Sequence, residues 1–157
     1  MPTEVPDATE ASEATALLAR VPYGRLAATL RALPFVAPAR HVVLPDGLLL
    51  RMHRGLGYHR ACSGTVVAYG ADNLTQQNVD AASGSVWSVQ CIGTATIVRP
   101  TDEERALFGP PPPLVDGERF DAVHLRLVPE LTTVHRLGPG SGPSTERQGH
   151  HVASTII

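Results

Sequence analysis

The apolar positions of this chain recur mostly at every second residue, the period of a half-buried strand, and take helical spacing only near the start. There Ala14, Leu17, Leu18 and Val21 share one helical face behind Asp7 and Glu10, which read as a capping box, and Pro22 ends the helix. Tyr23-Gly24 reads as a turn into a strand over residues 25–30. Residues 35–44 predict a longer strand, in which Pro38 demands an edge or a bulge because it donates no ladder hydrogen bond. Pro45-Asp46-Gly47 has hairpin chemistry, proline fixing φ and glycine accepting positive φ, and residues 48–52 return from it. A basic, glycine-punctuated loop follows.

Residues 64–69 are rich in β-branched side chains and predict a buried strand, and residues 70–83 a long polar loop. Residues 85–98 alternate most clearly of all, and Gly93 within them marks a bulge or a close backbone approach. Thr101 and Glu104 bracket a second, short helix as a capping box, with acids in its first turn, and Gly109 and the prolines at 110–113 stop it. Residues 120–127 and 131–137 make a last long strand, or a bent pair around Pro129. Residues 1–10 read as a flexible leader. Residues 138–157, dominated by Gly, Pro and Ser, read as a disordered tail whose end at 152–157 can pair with a neighbour. Residues 11–137 therefore carry the domain.

This order predicts a mainly β fold, a six-stranded antiparallel barrel, closed or partly open, with a few short helices. Closure removes sheet edges. A barrel this small fills its own interior with side chains, so a sizeable ligand must lie outside it, in a cleft or between subunits.

Composition narrows the function. At 157 residues and 43% hydrophobic, the chain suits one core. Its 13 basic residues are all arginines, which reads as a compositional bias of the source genome rather than as chemistry. A pI near 6.4 and an even spread of acids exclude a general nucleic-acid or membrane-surface role. Cys62 and Cys91 lack metal-ligand spacing and read as buried free thiols, and His150-His151 is too isolated for a metal site. The acidic start and the absence of a long apolar run predict a soluble, cytoplasmic protein.

One stretch breaks the even spread. Between Gly47 and Ala71 there is no Asp or Glu, yet Arg51, Arg54 and Arg60 stand there with His53 and His59. Guanidinium groups held on one segment repel unless an anion lies between them, and a ligand's phosphate is the simplest such anion.

In sequence the chain resembles the pyridoxamine 5′-phosphate oxidase-like split β-barrel family over about residues 17–137. The pieces that carry the likeness are Tyr23-Gly24-Arg25-Leu26-Ala27 after the opening helix, Pro38-Ala39-Arg40-His41-Val42-Val43, Asp46-Gly47 leading to Leu50-Arg51, Val86-Trp87-Ser88-Val89 with Gly93-Thr94-Ala95, and Leu127-Val128-Pro129 through His135-Arg136. The resemblance implies a homodimer holding FMN at the subunit interface. Arg51 takes the strand-end phosphate position, and His59 and Arg60 the phosphate-loop places. Arg40 with the backbone of Val42 and Val43 borders the flavin ring, and Trp87, Ser88 and Gln90 lie on the strand that approaches the partner subunit's flavin. Nitroimidazole-reductase-like members have a functional histidine near this loop, which makes His53 the candidate catalytic residue, at a site near the flavin.

The signature by which true vitamin B6 oxidases recognise pyridoxal phosphate is not visible, so the likeness points to another branch. Two functions remain open. In the first, which the retained arginines favour and which is the expectation here, the chain is a flavoprotein oxidoreductase passing electrons from reduced nicotinamide, NAD(P)H, through FMN to a small organic acceptor or oxygen. In the other, which Met52 and a lengthened loop favour, it is a binding module for flavin, haem or another small ligand.

Overall fold

The alternation along the chain becomes the inside and outside of a barrel. The computed structural model describes residues 8–75 and 86–137. Helix α1 (Ala8–Leu18) is followed by β1 (Tyr23–Leu30), β2 (Leu33–Leu44), β3 (Gly47–His53), a 3-10 turn (Arg54–Leu56), α2 (Tyr58–Cys62) and β4 (Thr65–Asp72). Then come β5 (Val86–Val98), α3 (Asp102–Leu107), the two-residue strands β6 (Leu114–Val115) and β7 (Glu118–Arg119), and β8 (Ala122–Leu137). Six strands close in the order β1-β2-β3-β8-β5-β4, every pairing antiparallel. The mainly β, six-stranded barrel expected from the alternation is the fold that forms.

The inward set includes Leu26, Leu50, Val67, Tyr69, Val89, Leu125 and Leu127, all shielded from solvent. Each buried leucine contributes about 1.5 to 3 kcal/mol. Helix α1 adds Ala14, Leu17 and Leu18 to this core. Its acids tie it to β8, where Glu10 accepts the Val134 N–H at 3.0 Å and Glu13 pairs with Arg136. Inside, His41 joins three elements: one ring nitrogen donates to the Leu18 carbonyl at 2.7 Å, and the other meets the Tyr69 hydroxyl. Because the Leu18 carbonyl can only accept, the ring proton sits on Nε2 and the tyrosine donates to Nδ1.

The capping box at Thr101 forms as read, with Glu104 N–H donating to the threonine hydroxyl at 3.1 Å and the Glu104 carboxylate accepting from Thr101 N–H at 3.0 Å. Pro38 pairs with Arg25 of β1 at a point where β2 has not yet reached β3, so its missing N–H breaks no ladder. Strand β8 runs unbroken through Pro129, and the register against β5 slips between Ile92 and Gly93, leaving Glu130 as the extra residue of a bulge.

Three readings are corrected, and one hairpin is added. Tyr23 and Gly24 are not a turn but the first residues of β1, paired with Arg40 and Ala39. The strand placed at 64–69 continues to Asp72, because β5 offers partners along its whole length. The basic stretch is not a loop. It winds into the 3-10 turn and α2 about Gly57, whose φ of 78° suits glycine, and Tyr58 stacks on Phe35 with centroids 4.9 Å apart. The β6–β7 hairpin went unread, since two-residue strands have no period to detect. Asp7, most of the 70–83 loop, and the tail with residues 152–157 fall outside the described residues. Among those described, no helix is long and apolar enough to cross a membrane, and no group of three or more His, Cys, Asp or Glu is placed to hold a metal ion.

Candidate anion and cofactor site

The alternation that turns His41 and Leu50 inward turns Arg40 and Arg51 outward, directly opposite each other on β2 and β3. The same row continues to Tyr23 on β1 and His124 on β8. Like charges directly opposite on a sheet destabilise it. Here no described carboxylate lies within ion-pair reach of either guanidinium, whereas Arg54, Arg105, Arg126 and Arg136 all have acidic partners.

Arg51 is only 7% exposed, although it sits on the barrel's outer face. The excursion between β5 and β8 covers it. The Phe108 ring lies 5.1 Å from its guanidinium and the Phe120 ring 5.8 Å, and its Nη1 donates to the Gly109 carbonyl at 3.0 Å. Burial depresses its pKa, the Tyr23 hydroxyl partly offsets this and Arg40 adds to it, yet an arginine stays charged through such shifts. Arg40 is held by the carbonyls of Pro22 and His41, and its guanidinium lies 6.0 Å from the Phe108 ring.

Tyr23, Arg40, Arg51, His53, Val115 and Phe120 line a cavity of about 150 Å³. A neighbouring one of about 420 Å³ shares Arg40 and is bounded by Pro22, Val42, Val43 and Leu107. A third, about 360 Å³, shares Tyr23 and Pro38 and reaches Arg25 and Asp72. His53 is oriented within the first. Its Nδ1 accepts the Asp121 N–H at 3.1 Å, so the neutral ring carries its proton on Nε2, which lies 3.5 Å from the Glu118 carboxylate. With its acceptor engaged, His53 offers the site a donor rather than a base.

A sequence profile of the family described as pyridoxamine 5′-phosphate oxidase matches residues 10–138. The chain belongs to the pyridoxamine 5′-phosphate oxidase family. No curated protein matches it significantly by sequence. Among solved structures, an FAD-binding protein of Mycobacterium smegmatis shares 24% identity at a TM-score of 0.58, covering 81% of this chain and 96% of that one. An FAD-binding protein of Mesorhizobium loti shares 18% at 0.58, with 82% and 95% covered. The haem storage protein HutZ of Vibrio cholerae shares 14% at 0.54, with 80% and 93% covered. At these identities the likeness is one of fold.

Not every residue read from the sequence gathers at the arginine row of this pyridoxamine 5′-phosphate oxidase-family barrel. Arg40, Val42, Val43, Arg51 and His53 line the two cavities that meet at Arg40. His59 is buried in α2 with Nδ1 lacking a hydrogen-bond partner among the described residues, and Arg60 is exposed beside it; neither lines those cavities. Trp87 points into the core, 3% exposed. Ser88 and Gln90 stand on the outer face of β5, opposite Asp72 and Gly70 of β4, which border the third cavity. Met52 packs into the core and also borders the cavity at Arg51, where it offers no hydroxyl. The sequence reading missed Tyr23, His124, Phe108 and Phe120. Only His124 had a local signal, as an outward member of an alternating strand.

Three buried histidines make this family member acid-sensitive. Burial lowers the pKa of His41, of His59 (Arg54 and Arg60 adding to it) and of His124 (Arg51, Arg105 and Arg54 adding to it). Each takes a proton less readily when folded than when unfolded, where its pKa is near 6.5, so the unfolded state binds more protons in acid. Stability is complete above about pH 6.5 and falls as pH drops below it, by up to about 1.4 kcal/mol per pH unit for each histidine. Urea unfolding at pH 7.5 and 5.5 should show that loss, and His41→Gln should shrink it; equal midpoints would contradict the assignment.

Proposed function

We propose that the protein is a flavin-binding oxidoreductase whose cofactor phosphate sits on Arg51 and Arg40. The observation that carries this is the opposed pair itself: two arginines, one of them buried, stand in register on β2 and β3 and line one cavity, with no described acid within ion-pair reach of either. An anion with several acceptor oxygens relieves that repulsion and accepts charge-assisted hydrogen bonds from both. The cavity at Arg51 suits a phosphate and its sugar chain rather than a whole flavin, and the larger space along Val42 and Val43 is left for the ring. Tyr23 adds a hydroxyl, and His53 lines the same cavity. A bound flavin, FMN in this reading, would supply hydride and single-electron transfer between reduced nicotinamide and a small organic acceptor or oxygen. The protein's part is to bind, to orient and to limit water.

The reading includes a homodimer. Val36, Ala27, Ala68, Ile92 and Leu131 form an outward row across five adjacent strands, with Val36 60% and Leu131 47% exposed. A second copy covers such a face. The engaged acceptor of His53 favours a second reading, a carrier of flavin or haem with no acid–base residue of its own.

Purified protein tests both. It should take up FMN or FAD in a fluorescence titration, elute as a dimer, and oxidise NAD(P)H when flavin is bound. A haem Soret band with no flavin uptake would select the carrier reading, and uptake of neither would overturn the site.

A further inference from the structure

We propose that the segment from Phe108 to Asp121 is an internal competitor for the anion seat, a strap that a ligand's phosphate must displace from Arg51. This rests on the flavin reading above and adds its regulation. The strap engages the two residues by which the cavity would hold an anion. The Gly109 carbonyl takes Arg51 Nη1, and the rings of Phe108 and Phe120 lie 5.1 and 5.8 Å from the guanidinium. On His53, the Phe120 ring stacks at 5.5 Å, the Asp121 N–H takes Nδ1, and Glu118 faces Nε2 at 3.5 Å. The Arg51 seat is thus filled by a backbone carbonyl, a weak stand-in for a phosphate oxygen.

The strap is tied at its far end, where Arg54 N–H donates to the Asp121 carbonyl at 2.7 Å and Arg54 pairs with the Asp121 carboxylate at 3.5 Å, but what holds its middle down is slight. Beyond Phe108, only Val115 and Phe120 of residues 109–120 are more than superficially covered, and four prolines at 110–113 leave it few backbone donors. Its own hydrogen bonding rests on the short β6–β7 pairing and Phe120 N–H to the Pro113 carbonyl at 3.1 Å. Segments with little buried apolar surface open at low free-energy cost. A ligand that binds only the open form has its affinity reduced by the open fraction, so loosening the strap tightens binding.

The test titrates FMN into the full-length wild type, Phe120→Ala and Glu118→Gln, and follows hydrogen exchange at the Phe120 and Asp121 amides. Phe120→Ala should bind FMN about tenfold more tightly than wild type and Glu118→Gln about twofold. Saturating FMN should speed exchange at both amides in the wild type. If Phe120→Ala does not fold, Glu118→Gln, whose side chain is 73% exposed, carries the test alone. Equal or weaker binding by variants whose strap amides exchange faster would overturn the strap and leave the flavin site standing. Slower strap exchange on FMN binding would do the same, since the segment would then close over the ligand. Uptake of FMN by none of the three proteins would overturn both.

Discussion

Arg51→Met should weaken flavin binding by about ten- to a hundredfold while leaving the fold at least as stable as the wild type. The first half follows from the loss of a charge-assisted hydrogen bond to phosphate, about 1.5 to 3 kcal/mol. The second follows from where the guanidinium sits. It is 7% exposed, directly opposite Arg40, and holds no carboxylate among the described residues. Removing a desolvated charge that faces a like charge relieves strain instead of creating it. A methionine thioether is accommodated between the rings of Phe108 and Phe120, and the Gly109 carbonyl, exposed at the strap, can turn to water. An isothermal titration with FMN and a urea midpoint on the same preparation separate the two effects. Lost binding together with a large loss of stability would show instead that Arg51 is a structural brace.

The largest effect on folding is expected at Gly93. A Cβ built there would lie 2.0 Å from the Val128 carbonyl oxygen, 2.8 Å from its carbon and 3.0 Å from Pro129 Cα, all backbone atoms of the facing strand. None can move without shifting β8 at its bulge, where Glu130 is already the unpaired residue. Gly93→Ala should therefore cost about 3 kcal/mol or more, beyond ordinary overpacking. Gly70→Ala is the control. It lies in β4, and its nearest contact would be the Val89 carbonyl oxygen at 3.7 Å, so the change should be near neutral. Urea unfolding of the two variants decides the matter, and similar midpoints would mean that the β5–β8 contact is looser than its geometry.

The two sites differ in how far local sequence could reveal them. Gly93 announced itself as a glycine interrupting the clearest alternation in the chain, and the register slip stands at that residue. Arg51 was visible as charge but not as a buried group, because what covers it comes from residues 108 and 120, after an intervening pair of strands. The Arg54–Arg60 stretch shows the opposite failure. Its glycines and charges concealed a helix whose buried face, His59 and Cys62, is too short to display a period.

The sequence alone determined the six barrel strands, the turn at Asp46-Gly47, the cap at Thr101 and the family. Each of these is written in the alternation, capping chemistry and motifs of neighbouring residues, over spans a few positions long. Only the tertiary structure decided that β3 lies against β8, that Tyr23, Arg40, Arg51 and His124 form one row, and that Phe108 and Phe120 shut over it. Those neighbours are set by closure of the barrel, which joins residues some seventy positions apart through hydrogen bonds and shared burial, and such pairings leave no periodic trace in the local chain.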